Sequence, residues 1–143
     1  MRFLDKLELF VVDDEAEKKD LEKYANFAYL FDIWLKNIED GKHLSSFFEQ
    51  RGYKNIVIYG MGILGKHFVE QLKNTDIQVI YIIERMVANV NGKNYGCKEA
   101  NELLEQPDAI VVTPIMEYET IKKLLTDIYR CDIISAEEVI LSI

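Results

Sequence analysis

Apolar positions step by three and four through the first third of the chain and gather into short continuous runs through the rest. In the first part Leu21, Tyr24, Ala28, Phe31, Leu35 and Ile38 form one stripe, which Phe27, Leu30 and Trp34 widen. The spacing predicts a long helix that starts near Asp14, where Asp14 and Glu17 take N-cap and N3 positions, and ends near Asp40-Gly41. So broad a stripe either packs on the rest of the chain or, through Phe27, Phe31 and Trp34, meets a second copy or a partner enzyme. A second, short helix is predicted around Leu44 to Gln50, with Leu44, Phe47 and Phe48 apolar and Gly52 suited to its C-terminal cap.

The pattern changes at Gly52-Tyr53-Lys54-Asn55 from helical spacing to alternating strand and helix. Ile56-Val57-Ile58-Tyr59 reads as a strand, followed by a glycine-rich turn and a helix to about Lys73 with Phe68, Val69 and Leu72 on its apolar face. Residues 77–83 are apolar on both faces, as a central parallel strand covered by helices must be. A turn at Asn91-Gly92 and a short third strand up to Cys97 precede a helix containing Ala100, Leu103 and Leu104. Ala109-Ile110-Val111-Val112 is a further buried strand ended by Thr113-Pro114, and Tyr118, Ile121, Leu124, Leu125 and Ile128 mark the next helix. Cys131-Asp132-Ile133-Ile134 is the last strand, and Ser135-Ala136-Glu137-Glu138 opens a terminal helix as a capping box.

Candidate chemistry centres on Gly60-Met61-Gly62-Ile63-Leu64-Gly65, which follows a strand and opens a helix. In such a turn the first glycine permits the tight bend, the second lets a pyrophosphate approach the backbone, and the third lets the helix pack on the sheet. The helix start then offers unpaired N–H groups and a positive dipole end to phosphate oxygens. Glu84 ends the second strand, nineteen residues after Gly65, where a carboxylate accepts hydrogen bonds from ribose hydroxyls. Arg85 beside it is placed to meet a 2′-phosphate or to stand in solvent. The expected ligand is therefore NAD or NADP, with a mild preference for NAD, or a nucleotide sugar, since all present a diphosphate and ribose to one loop. Gly60 to Lys66 also matches G-x-x-x-x-G-K of nucleoside triphosphatases, but His67 stands where that motif needs Ser or Thr for magnesium, and the later strand runs into Val112-Thr113-Pro114 without an Asp. The expected fold is α/β, a Rossmann-like three-layer αβα parallel sheet over 53–143, preceded by an N-terminal helical segment over 1–52.

A net charge of −8 over 143 residues argues against a nucleic-acid partner or an anionic lipid surface. Cys97 and Cys131 form no C-x-x-C pair and have no His cluster nearby, so neither zinc nor a disulfide framework is expected. Met1-Arg2-Phe3-Leu4-Asp5-Lys6 lacks an apolar signal core and no stretch has membrane-spanning length, which leads to an expected cytoplasmic location without membrane insertion.

Residues 51–66, with Glu84-Arg85 and Val112-Thr113-Pro114, resemble a family of bacterial Rossmann domains of cell-surface polysaccharide biosynthesis. These occur in membrane nucleotide-sugar dehydratases, sugar acetyltransferases and glycosyltransferase tails. The resemblance covers about residues 43 to 143. It implies that Gly60, Gly62 and Gly65 touch phosphates, that Glu84 touches a ribose, and that Thr113 and Pro114 line the pocket mouth. Family enzymes carry their reacting groups on a second domain, for which 143 residues leave no room, so binding without turnover is expected. A dehydratase, epimerase or dehydrogenase reduced to its cofactor domain, and an interaction module whose pocket is filled by Met61 or Ile63, are the competing expectations.

No other constellation competes as a catalytic centre. Tyr118-Glu119-Thr120-Ile121-Lys122 matches the Y-x-x-x-K pair of short-chain dehydrogenases, but Tyr118 reads as a core contact and Lys122 as solvated. His67 reads as an exposed helix residue and His43 as an early residue of the second helix, while Asp13-Asp14 and Glu137-Glu138 sit where helix starts favour acids.

Overall fold

The computed structural model describes residues 15–143; the predicted N-cap Asp14, its neighbour Asp13 and the run Met1 to Lys6 lie outside them. In chain order the elements are α1 (Glu15–Glu39), α2 (Leu44–Gln50), β1 (Asn55–Tyr59), α3 (Ile63–Leu72), β2 (Gln78–Glu84), β3 (Val87–Val90), β4 (Lys93–Gly96), α4 (Cys97–Leu103), β5 (Ala109–Val112), a 3₁₀ turn (Ile115–Glu117), α5 (Tyr118–Thr126), β6 (Asp132–Ser135) and α6 (Ala136–Leu141).

One sheet holds all six strands in the order β4-β3-β2-β1-β5-β6. The strands β2, β1, β5 and β6 run parallel, as their apolar sequences and helical connections require. β1 and β5 lie at the centre and bury both faces: Ile56 and Ile58 point into one core cluster, Val57 and Tyr59 into the other. The first cluster joins α1, α2, α3 and α6 through Leu30, Trp34, Phe47, Phe48, Phe68 and Ile140; the second joins α4 and α5 through Cys97, Ala100, Ile121 and Leu125.

The parallel sheet expected from sequence is corrected at one edge. β3 and β4 form an antiparallel hairpin beside β2, so the sheet is mixed, and β2 is parallel to its neighbour on one side only. Asn91 and Gly92 make the hairpin turn with φ of 52° and 85°, the left-handed pair that a two-residue hairpin demands. The preceding turn, from β2 into β3, takes the same conformation with Arg85 and Met86, at φ of 49° and 64°. Neither residue type favours that region, so the turn gave no sequence signal and β3 was not expected.

The helical segment shares its core with the sheet. Trp34 is buried with its ring 5.2 Å from that of Phe68, and Phe31 stacks on Trp34 at 6.1 Å. Asn37, also buried, donates to the Ile140 carbonyl at 3.1 Å, which ties α1 to α6. The α1 stripe is thus mostly an internal contact, and the apolar side chains it leaves exposed are Tyr29, Leu35 and Ile38 rather than Trp34. Gly52 takes φ +73° directly after α2, and Ser135 caps α6 by accepting from the Glu137 N–H, as expected.

Candidate functional site

The three glycines of the loop have separable roles. After β1 the Gly60 N–H donates to the Ile83 carbonyl at 2.8 Å, and the chain then turns at φ +94°. A Cβ at Gly60 would lie 2.6 Å from Thr113 Oγ1 and 2.8 Å from Pro114 Cδ. At Gly65 it would lie 1.9 Å from the Gly60 carbonyl oxygen, so the first turn of α3 rests directly on the loop backbone. Gly62 differs from both: its φ is −71°, and a Cβ there would meet nothing within 4 Å.

The end of β5 braces this turn. Buried Thr113 donates its backbone N–H to the Tyr59 carbonyl at 3.0 Å, and its hydroxyl lies 2.9 Å from the carbonyl oxygens of both Tyr59 and Gly60. Thr113 therefore holds the loop in place with its hydroxyl occupied, while Pro114 stands beside it on the cavity wall. The junction between β1 and β5 is where successive connections leave in opposite directions along the sheet, the switch point at whose carboxyl ends α/β sheets receive ligands.

Gly62 is the N-cap of α3 and no side chain caps it. The first N–H groups of a helix have no partner within it, and the positive end of its dipole lies at the same place. Exposed Glu84 reaches the loop from β2, where one carboxylate oxygen accepts the Met61 N–H at 2.8 Å. Its second oxygen retains acceptor capacity for a hydroxyl. Exposed Arg85 stands in the adjoining turn. Met61 is half-buried against the first core cluster and lines the space on the β2 side of the loop, while exposed Ile63 lines the space on its other side.

Two cavities flank the loop. One, of about 330 Å³, lies on the β2 side and is lined by Met61, Ile82, Glu84, Val87, Asn89 and Asn94. The other, of about 160 Å³, lies between the loop and α1, with Gly62, Ile63, Leu64, Thr113 and Pro114 on one wall and Lys23, Asn26 and Phe27 on the other. Asn89, Asn94, Lys23 and Asn26 were not singled out from sequence, and Phe27 was expected in the core or against a partner and not beside the loop. Asn89 and Asn94, which hydrogen-bond to each other at 2.9 Å, flank a legible Asn-Gly turn, whereas nothing in the order of residues signals that α1 crosses the loop. A third cavity of about 250 Å³, between α1 and α3, is lined mainly by apolar groups such as Phe31, Trp34 and Leu35 and offers little to a phosphate.

Elsewhere the chemistry is structural. Tyr118 donates its hydroxyl to the Ile133 carbonyl at 2.8 Å and packs on the second core cluster, with the Lys122 ammonium 5.7 Å from its ring centre. His67 is exposed and meets the Phe31 ring edge-on at 5.6 Å, while His43 caps α2 by accepting the Ser45 N–H. Cys97 and Cys131 are free thiols, both pushed up from the usual thiol range by burial, Cys131 to about 11. Among the described residues no group of three or more His, Cys, Asp and Glu is placed to hold a metal ion, and no helix is long and apolar enough to cross a membrane.

No family model, no curated protein and no solved structure matches this chain.

Proposed function

We propose that this chain is a Rossmann-like nucleotide-binding protein that takes the diphosphate of NAD(P) or of a nucleotide sugar at the N-terminus of α3. The observation that carries the reading is Gly62. Neither its φ of −71° nor any atom beyond its two chain neighbours requires a glycine there, yet glycine stands at an uncapped helix start in open space. A phosphate that approaches the backbone within hydrogen-bonding distance supplies the missing reason, because a side chain would occupy its place.

Glu84 sets the orientation of the ligand. Its carboxylate excludes an anion from the Met61 N–H and accepts ribose hydroxyls, so the phosphates lie towards Gly62, Ile63 and Leu64. A 2′-phosphate would meet that carboxylate, which favours NAD over NADP unless Arg85 turns towards it. Binding is proposed here and turnover is not. Cell-surface polysaccharide metabolism is the setting that the sequence resemblance implies for such a protein.

Calorimetric titration of the whole chain with NAD, NADP and uridine and guanosine diphosphate sugars tests this, with Gly62→Asp as control. Aspartate is a favourable N-cap, so the variant keeps its fold while placing a carboxylate where the phosphate would lie. Binding to the native chain that disappears in Gly62→Asp supports the reading. No binding of any ligand, or equal binding to the variant, refutes it.

A further inference from the structure

We infer that α1 is a wall of the ligand site and that Lys23 binds the second phosphate of a nucleoside diphosphate. The inference rests on the nucleotide reading above and adds to it a residue outside the glycine loop.

The cavity between α1 and the loop begins at Gly62, Ile63 and Leu64, where the first phosphate is placed, and Lys23 stands on its opposite wall. Lys23 is the one cation among the residues lining the two cavities beside the loop. Salt bridges along α1 occupy Lys18 with Glu15 and Lys36 with Asp32, whereas Lys23 has its ammonium 5.8 Å from the centre of the Phe27 ring. A cation held over an aromatic face in a chain of net charge −8 keeps its charge available to an anion.

The wall is fixed in place. Phe27 packs on the first core cluster, and Asn26, one residue before it, donates to the Met116 sulfur at 3.1 Å, joining α1 to the 3₁₀ turn that follows Pro114. Glu117 in that turn also lines the cavity. Lys23 and Glu117 line the same cavity, so the cation can meet one further phosphate while a third would enter the carboxylate's field. The ligand class is therefore a nucleoside diphosphate or its ester, with the preference over a monophosphate carried by Lys23.

Titrations of the full chain with AMP and ADP, UMP and UDP, and GMP and GDP test this, using the native protein, Lys23→Met and Lys23→Arg. Lys23 is exposed on a helix, so both variants retain the fold. Charge-assisted contact with one phosphate corresponds to about a tenfold preference for the diphosphate, lost in Lys23→Met and kept in Lys23→Arg, with monophosphate affinity unchanged. Diphosphate preference that survives in Lys23→Met overturns the inference and leaves the nucleotide reading standing. Failure of the native chain to bind any of the six nucleotides while it binds NAD or a nucleotide sugar overturns the inference alone, and failure to bind any member of either set overturns both.

Discussion

Substituting each loop glycine by alanine separates packing from ligand approach, because one methyl group meets three different surroundings. At Gly65 the added carbon would sit 1.9 Å from the Gly60 carbonyl oxygen, and restoring ordinary contact moves the start of α3 outward by about 1.5 Å. Backbone obstructs it, not a flexible side chain, so the cost falls at the upper end of the overpacking range, about 3 kcal/mol. At Gly60 the left-handed φ costs about 1–2 kcal/mol, and displacement of the Thr113 hydroxyl about 1 more. At Gly62 the methyl group enters open space at an ordinary φ, and the cost is that of alanine in place of glycine at an N-cap, about 0.5–1 kcal/mol. Urea unfolding followed by circular dichroism reads these values. With a slope of about 2 kcal/mol per molar, Gly65→Ala should unfold about 1.5 M earlier than the native chain, Gly60→Ala nearly as much earlier, and Gly62→Ala no more than about 0.5 M earlier. A Gly65→Ala midpoint equal to the native one, or a Gly62→Ala loss as large as that of Gly65→Ala, would refute the assignment of roles.

Three further outcomes follow from other parts of the molecule. The Asp108 carboxylate accepts the Asn55 and Lys54 N–H groups at 2.9 and 2.7 Å, and these bonds hold its pKa below the ordinary carboxylate value. Its contribution is present above the unfolded value of about 3.9 and lost as pH falls through the lower folded value, so Asp108→Asn should lower the urea midpoint at pH 7, and the difference from the native chain should shrink as pH falls below about 3.9. Burial raises both thiols, so Cys97 and Cys131 should react with an alkylating reagent at pH 8 much more slowly in the native chain than in urea, and equal rates would contradict the packing. Arg85 holds φ 49°, a region that asparagine tolerates better, and Arg85→Asn should raise stability by about 0.5–1 kcal/mol in the same urea assay; no gain would mean that the turn carries no strain.

What the sequence made legible divides along the distance over which each signal acts. β1 and β5 are short runs of apolar residues buried on both faces, and α1 repeats its stripe over 25 residues, so local pattern alone predicts them. The loop was equally legible, since Gly60 and Gly65 answer constraints set by a strand-to-helix turn wherever it occurs. β3 was not, because its first turn uses Arg85 and Met86, whose left-handed conformation is imposed by the pairing of Glu84 with Val87 and not by residue preference. The hairpin in turn bears Asn89 and Asn94, so one illegible turn concealed that these two stand beside Met61 and Glu84.

The opposite wall was hidden for a different reason. Lys23 looks in the sequence like any charged residue on an amphipathic helix, and it reaches the cavity because the buried face of α1 docks beside α3 through Trp34 and Phe68. The same apolar stripe that first suggests a surface for another protein fixes which polar residues of α1 face the loop. Under the proposed reading, completing the core and completing the candidate site are one requirement, and a deeply destabilising change at Trp34 should weaken the proposed nucleotide binding without touching any group that lines either cavity beside the loop. Trp34→Ala, expected to cost about 3–5 kcal/mol, should weaken binding in proportion to the displacement of α1, whereas Leu35→Ala on the exposed side should leave affinity unchanged. Full-strength binding by Trp34→Ala under conditions where it remains folded would separate the two requirements and remove α1 from the site.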